Sequence, residues 1–333
     1  MGTATLLSVS DLSIEFDVGD QRVRAIDRVS FEVGRAERVG LVGESGAGKT
    51  VVALAIVGLI PRPGRVVSGS VVFDVVDIAR ASDAALTKVR GRRISLIPQD
   101  ASLALNPVLT IGRQMQEVLE QHTRLRRAEI DQRCHELLRR VRLADPARIL
   151  RAFAGELSGG MKQRVGIAMA LLCEPELVIA DDPTSAVDVT IAAQILRELR
   201  DLTARMGVSV LFISHDLRVV STLCSRVIVL YAGQVSEIMA AAHLVDGARH
   251  PYTAALLNCA PTIDVRRSPL PTVPGPQPDS VTVIDGCRFH PRCPNRVGAC
   301  SETYPALAGD DHRLACWNPL SPSRAQLGTE RLG

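Results

Sequence analysis

One segment constrains this chain more than any other: Gly43, Glu44, Ser45, Gly46, Ala47, Gly48, Lys49 and Thr50, set between the short apolar run Arg38 to Val42 and the apolar stretch Thr50 to Ile60. A strand, a turn of small residues and a buried helix, in that order, is the setting of a phosphate-holding loop. Small side chains let consecutive backbone N–H groups converge into one concavity, and the helix N-terminus adds partial positive charge. Lys49 then reaches the outer phosphates of a polyphosphate as a point charge, and the Thr50 hydroxyl is placed to ligate Mg²⁺.

The remaining pattern fits that start. Ile94 to Ile97, Leu177 to Ala180, Val208 to Ile213 and Arg226 to Tyr231 read as further buried strands, several of them followed by helical spacing. Such alternation predicts a parallel α/β sheet. Asp181 closes the run Leu177 to Ala180, so its carboxylate falls at the C-terminal edge of the sheet, where ligands of open α/β sheets sit and where it would hold Mg²⁺. The first 35 residues alternate apolar and polar, which predicts antiparallel strands. Residues 110–142 carry helical spacing with charged faces, and the arginines there (Arg124, Arg126, Arg127, Arg139, Arg140) read as a solvated helix surface. Proline crowds the last part of the chain, from Pro251 onward, and the run Ser268 to Pro278 reads as an extended connector. The expected fold class is therefore α/β. It has a phosphate-loop core with a mostly parallel sheet, an N-terminal antiparallel β subdomain, a helical insertion and a Pro/Cys-rich C-terminal extension. The boundaries fall at 1–250 for the core, with a helical subdomain over about 98–165, and at 251–333 for the extension.

Composition removes other classes. The net charge of +3 over 333 residues does not call for a nucleic-acid or membrane-surface partner. The most apolar stretch, Val51 to Ile60, falls far short of the roughly 20 residues a bilayer span needs. The start, Met1 to Leu6, has neither a basic region nor an apolar region of a secretory signal, and Leu6 breaks the myristoylation pattern. A cytoplasmic protein is expected, and in that compartment the 8 cysteines suggest metal or redox chemistry before disulfides.

Between the phosphate loop and Asp181 stands Leu157-Ser158-Gly159-Gly160-Met161-Lys162-Gln163-Arg164, and Asp181 is followed by Asp182-Pro-Thr-Ser-Ala-Val-Asp188. With Lys49 and Gln99, these motifs make residues 5–250 resemble the ABC-type ATPases, most closely the subunits of peptide and nickel importers. The Gly-Glu-Ser-Gly start of the loop, the Leu-Ser-Gly-Gly-Met motif and the His250-Pro-Tyr segment carry that closer likeness.

The resemblance implies ATP and Mg²⁺ as ligands and a role for each matching residue. Phe16 would stack on adenine. Gln99 would reach Mg²⁺ and the attacking water, and would sense a membrane partner through the loop that follows it. Ser158, Gly159 and Gly160 would face the γ-phosphate of nucleotide held by an opposing subunit, and His215 would contact the γ-phosphate. Ser185 to Asp188 would lie across the interface of two ATPase subunits. The implied partners are a second, different ATPase chain, two transmembrane permeases and an extracytoplasmic solute-binding protein, with no nucleic acid. The implied location is the cytoplasmic face of the membrane, and nickel or another small solute stands as an alternative cargo. A soluble ABC ATPase of DNA repair or translation is the rival class, although such proteins usually carry two ATPase units or a long coiled coil. A redox-regulated subunit with vestigial hydrolysis is a second rival.

One residue departs from the family pattern. Where the family has Glu after the strand Asp, to polarise the attacking water, this chain has Asp182. The shorter side chain sets its carboxylate back by roughly 1.5 Å, against a working reach of about 2.6–3.2 Å for a general base. Impaired hydrolysis at the chain's own site is the expectation, alongside an intact Ser158-Gly159-Gly160 face able to complete a partner's site.

In the extension, Cys287, Cys293, Cys300 and Cys316 cluster among prolines, with no visible core. Four thiolates suit a [4Fe–4S] cluster or Zn²⁺. The resemblance favours iron–sulfur in a structural or sensory role. Cys134, Cys173, Cys224 and Cys259 read as buried small hydrophobes, and His290 and His312 as surface residues.

Overall fold

A computed structural model of the chain describes residues 4–185, 187–259, 272–276, 278 and 284–321. Of the connector at 268–278, residues 268–271 and 277 thus lie outside the described residues. In chain order the elements are β1 (Thr5–Val18), β2 (Gln21–Gly34), β3 (Arg38–Val42), α1 (Lys49–Ile56), β4 (Arg65–Phe73), β5 (Val76–Asp77), α2 (Asp83–Val89), β6 (Ile94–Ile97), α3 (Ala101–Ala104), α4 (Ile111–His122), α5 (Arg127–Arg140), α6 (Pro146–Arg151), α7 (Gly159–Leu171), β7 (Leu177–Asp181), α8 (Val189–Met206), β8 (Ser209–Ser214), α9 (Leu217–Leu223), β9 (Arg226–Tyr231), β10 (Gln234–Ala240), α10 (Pro251–Cys259), α11 (Ala299–Glu302) and β11 (Arg313–Leu314). They form two compact units. The first comprises Met1–Leu6, Val33–Arg38 and Arg80–Ile213; the second comprises Leu7–Glu32, Val39–Ala79 and Ser214–Gly333.

In the first unit β6, β7 and β8 run parallel, with Ile94 opposite Leu177 and Leu177 opposite Ser209. All of β7 is buried. An uninterrupted Leu-Val-Ile-Ala run is what a strand covered on both faces requires. Side chains cap the helices between and after these strands. Asp100 accepts from the Ser102 N–H at 2.7 Å, Thr110 from Arg113 at 3.3 Å, and Asp145 from Arg148 at 3.0 Å. On the exposed side of α5, Arg126 pairs with Glu129, Arg127 with Asp131 and Arg140 with Glu136, at i,i+3 and i,i+4 spacing. These arginines are thus tied up along their own helix, as a solvated face requires.

In the second unit a four-stranded sheet has the order β2-β1-β4-β5, with β1 and β4 antiparallel. Here too β3 lies parallel to β9, and β9, β10 and β11 continue antiparallel. The first helix is shorter than its apolar run suggests. It stops at Ile56 because Gly58 turns left-handed at φ 65° and Pro61 follows. Gly40 on β3 has no room for a side chain, since a Cβ there would lie 2.0 Å from Cγ1 of Val220 on α9.

The C-terminal residues of this unit do have a core, and they borrow it. Phe289, 1% exposed, packs against Tyr231 on β9 and Tyr252 on α10, with ring centroids 5.2 and 5.4 Å apart. Strand β11 adds to β10, the Leu320 N–H donates to the Arg249 carbonyl at 2.8 Å, and the Tyr304 hydroxyl donates to the Val235 carbonyl. The iron–sulfur expectation is overturned here, and the zinc alternative with it. Among the described residues, which include Cys287, Cys293, Cys300 and Cys316, no group of three or more His, Cys, Asp or Glu side chains is placed to hold a metal ion. Burial, together with the neighbouring cysteines of the segment, pushes the Cys287 thiol up to about 12 and the Cys316 thiol to about 11. The physical reason is that aromatic packing and strand addition, rather than a cross-linking ion, order the segment. Of the other four cysteines only Cys134 is fully buried; Cys173, Cys224 and Cys259 are half-buried.

His312 also departs from the surface role expected of it. Its Nε2 donates at 2.7 Å to Glu237, a carboxylate with no solvent exposure, which also accepts the N–H groups of Arg249 and His250 at 2.7 and 3.2 Å. Burial alone would raise the Glu237 carboxyl, but the bonds from His312 and Arg249 hold it below the usual carboxylate range. His250 is buried and neutral, its Nδ1 accepting the Tyr252 N–H at 3.1 Å, and desolvation lowers it to about 4. An unfolded chain takes up this proton near pH 6.5, whereas the folded site refuses it until about 4. Stability therefore falls over that interval, by roughly 3 kcal/mol. Protonation of Glu237 extends the loss below it. Thermal unfolding followed from pH 7 to 4 checks this. His250→Asn, whose amide oxygen can accept in place of Nδ1, flattens the decline between 6.5 and 4, and an unchanged slope in that variant would reject the assignment.

Candidate active site

The second unit carries the phosphate loop. Buried Val39 to Val42 deliver the chain to Gly43, where a Cβ would meet the Leu230 carbonyl oxygen at 2.2 Å. At the other end Gly48 adopts φ 101°, and a Cβ there would sit 2.6 Å from Cδ1 of Ile26. Glycine is required at both places, by close approach at the first and by backbone conformation at the second. Lys49 opens α1 and is 8% exposed; its Nζ donates to the carbonyls of Gly43 and Glu44, each at 2.9 Å. The ammonium thus lies across the loop it belongs to. Gly46 takes φ 76°, and Ser45, Gly46 and Thr50 are exposed. One ammonium, two hydroxyls, a helix N-terminus and glycine backbone that side chains cannot cover form a donor set suited to a polyphosphate and its Mg²⁺.

The loop is anchored from far along the chain. The Ala47 carbonyl accepts from Gly233 N–H at 2.9 Å. The Glu44 N–H donates to the Tyr252 hydroxyl at 2.8 Å, and the Glu44 carboxylate takes two bonds from Arg292, at 2.8 and 3.2 Å. Tyr252 and Arg292 were not legible as site residues, because their contacts with Glu44 carry no local spacing. In the same unit Phe16 lies on β1 with its ring against Gly64, and His215 is exposed directly after Ser214. Asp216 behind it caps α9 by accepting the Arg218 N–H at 2.9 Å.

The first unit carries the carboxylates. Asp181 ends β7 and is 7% exposed. Asp182 leaves the strand with φ 41°, its N–H donating to the Ile213 carbonyl at 2.9 Å. That left-handed backbone is one aspartate tolerates better than most residues. Gln99 is exposed just beyond β6, and its carbonyl accepts the Ser185 hydroxyl at 3.2 Å, so the Gln99 segment and the Asp181–Ser185 turn are brought together. Ser158 is the N-cap of α7, its Oγ accepting from Met161 N–H at 3.4 Å; Ser158 and Gly159 are exposed and Gly160 is partly so.

These features agree with what the chain is similar to. The family described as ABC transporter matches residues 26–185, and the one described as oligopeptide/dipeptide transporter, C-terminal region, matches residues 236–300. A probable peptide ABC transporter ATP-binding protein, y4tR of Sinorhizobium fredii, is 46% identical over 94% of this chain and 94% of its own length. The chain belongs to the ABC transporter family. The probable D,D-dipeptide transport ATP-binding protein DdpD of Escherichia coli is 42% identical, covering 95% of this chain and 98% of its own. The dimeric structure of the ATP-binding cassette MJ0796 bound to ADP and Pi superposes with a TM-score of 0.64 at 27% identity, over 71% of this chain and 98% of that one. The chain is an ABC ATPase subunit, with ATP and Mg²⁺ as its ligands. Among the described residues no helix is long and apolar enough to cross a membrane.

Proposed function

We propose that this chain is the ATP-hydrolysing subunit that powers a peptide-class importer, held at the cytoplasmic face of the membrane by permease subunits. The observation that carries this reading is the near full-length likeness to peptide-transport ATP-binding proteins, which extends through the oligopeptide/dipeptide transporter C-terminal region at 236–300. The core at 1–250 supplies the ATPase, and the extension at 251–333 is the part this importer class adds. In this reading Phe16 stacks on adenine, Lys49 neutralises the outer phosphates, and Ser45, Gly46, Ala47 and Gly48 present backbone donors. Thr50, Gln99 and Asp181 hold Mg²⁺, which when bound draws charge from the phosphate oxygens. His215 donates toward the γ-phosphate, and Ser158 to Gly160 face nucleotide on a second, different ATPase subunit.

Asp182 makes the two composite sites unequal. Its carboxylate falls short of the attacking water, so the site built on this chain's Lys49 mainly binds ATP, while its Ser158-Gly159-Gly160 face completes the partner's working site. Two permeases and a solute-binding protein complete the system. Uptake of labelled di- and tripeptides by cells lacking the gene tests the function. Uptake is lost, and returns with the unaltered chain but not with Lys49→Ala. Undiminished peptide uptake without the gene would reject the reading.

A further inference from the structure

Arg292 is among the most deeply placed charged residues of the chain, and the hydrolytic site does not account for it. Its side chain is 6% exposed and its guanidinium makes five hydrogen bonds to four parts of the second unit. Nη1 and Nη2 clamp the two carboxylate oxygens of Glu44 at 2.8 and 3.2 Å. Nη1 also donates to the Tyr231 hydroxyl at 3.2 Å, and Nε and Nη2 donate to the carbonyls of Pro274 and Val273 at 2.7 and 3.3 Å. The guanidinium carbon lies 5.8 and 5.9 Å from the centroids of the Tyr231 and Phe289 rings. Paired bonds of this kind, partly desolvated, are strong and geometrically exacting.

The partner at the other end is what gives the pair meaning. Glu44 is the second residue of the phosphate loop, and its carbonyl accepts from Lys49. A carboxylate at that position places negative charge beside the place where a polyphosphate sits, where it repels the ligand the loop exists to hold. Arg292 cancels that charge and fixes its direction, while the Tyr252 hydroxyl takes the N–H of the same residue.

We propose that Arg292 of the C-terminal extension is a positioning residue of the phosphate loop, which neutralises Glu44 and thereby sets the affinity for MgATP according to whether the extension is docked. The extension is then a reporter read by the nucleotide site, and anything that lifts residues 287–293 away weakens ATP binding without touching Lys49. This inference rests on the phosphate-loop reading of residues 43–50 but not on peptide transport.

MgATP affinity of the full chain, measured by calorimetry, tests it. Arg292→Gln weakens binding by about tenfold, because Glu44 is left unpaired beside the phosphates. The deficit narrows as salt is raised from low to high ionic strength, since a charge repulsion is screened. Adding Glu44→Gln to that variant restores affinity to within about threefold, because the offending charge is gone. A merely structural role for Arg292 predicts no such rescue. Tyr304→Phe, which loosens the extension's bond to Val235 away from the loop, lowers the melting temperature but leaves affinity unchanged in the folded chain. Should Arg292→Gln aggregate, Arg292→Lys takes its place: it keeps the charge, loses the fork and shows a smaller deficit that Glu44→Gln does not deepen. Affinity within twofold of the unaltered chain in both Arg292 variants, or a double variant as weak as Arg292→Gln alone, overturns the proposal. Failure of the unaltered chain to bind MgATP would instead overturn the phosphate-loop reading, and the proposal with it.

Discussion

Replacing Lys49 by Ala lowers ATP hydrolysis at this chain's own site, counted with the partner subunit's base removed, by about 10²- to 10³-fold, the size of effect that follows removal of one preorganised charged donor from a reacting phosphate or oxyanion. The position leaves little room for substitution. Lys49 is 8% exposed, and its ammonium already bridges the Gly43 and Glu44 carbonyls at 2.9 Å. A methyl group in its place removes the charge and leaves two loop carbonyls without that donor. Arg is no remedy, since its planar fork cannot stand in for a compact point charge inside so tight a loop; Lys49→Arg recovers no more than about a tenth of the rate. The measurement is phosphate release by the reconstituted complex in which the partner's base has been removed, with nucleotide affinity determined separately. The melting temperature of the ligand-free variant changes little beside the loss of rate, because the loop's other anchors, Gly233 to Ala47 and Tyr252 to Glu44, remain. In that single-site complex, a variant that hydrolyses ATP at more than about a tenth of the rate of its Lys49 parent would show that Lys49 does not carry the charge work.

The parts of this molecule that depend on neighbouring residues were readable, and those that depend on distant ones were not. The phosphate loop is local: a buried strand, eight consecutive residues and a helix, each with its own signature. Buried strands such as β7 show themselves because both faces must be apolar, so the run has no gaps. Boundaries were less secure, since the apolar character of Val57 to Ile60 continues past the point where Gly58 ends α1. The extension was misread for a physical reason. Four cysteines among prolines look like a segment in want of a cross-link, but the anchor is Phe289 between Tyr231 and Tyr252, which has no period in the sequence. The ion pair of Glu44 with Arg292 spans 248 positions, and only a fold can bring such residues together. Glu237 and His312, 75 positions apart, are hidden in the same way.

Asp182→Glu raises hydrolysis at this chain's own site by about 10- to 10²-fold, since a displacement of about 1 Å costs that much in a positioned reaction. The gain appears only when the partner's own base is removed, so that a single site is counted. The backbone sets a limit to the gain. Residue 182 sits at φ 41°, a region that aspartate visits more readily than glutamate, and the substitution costs about 0.5–1 kcal/mol of stability. That cost is small because the N–H bond to Ile213 holds the turn whichever side chain is present. Asp182→Asn provides the opposing comparison. If the carboxylate already stands too far from the water, losing its charge changes the rate at this site by less than about threefold, whereas loss of a working base costs about 10²-fold or more. The two variants move apart only if reach is what limits the site. A large fall in Asp182→Asn, with no rise in Asp182→Glu, would mean that the turn brings the shorter carboxylate close enough to act and that both composite sites hydrolyse ATP.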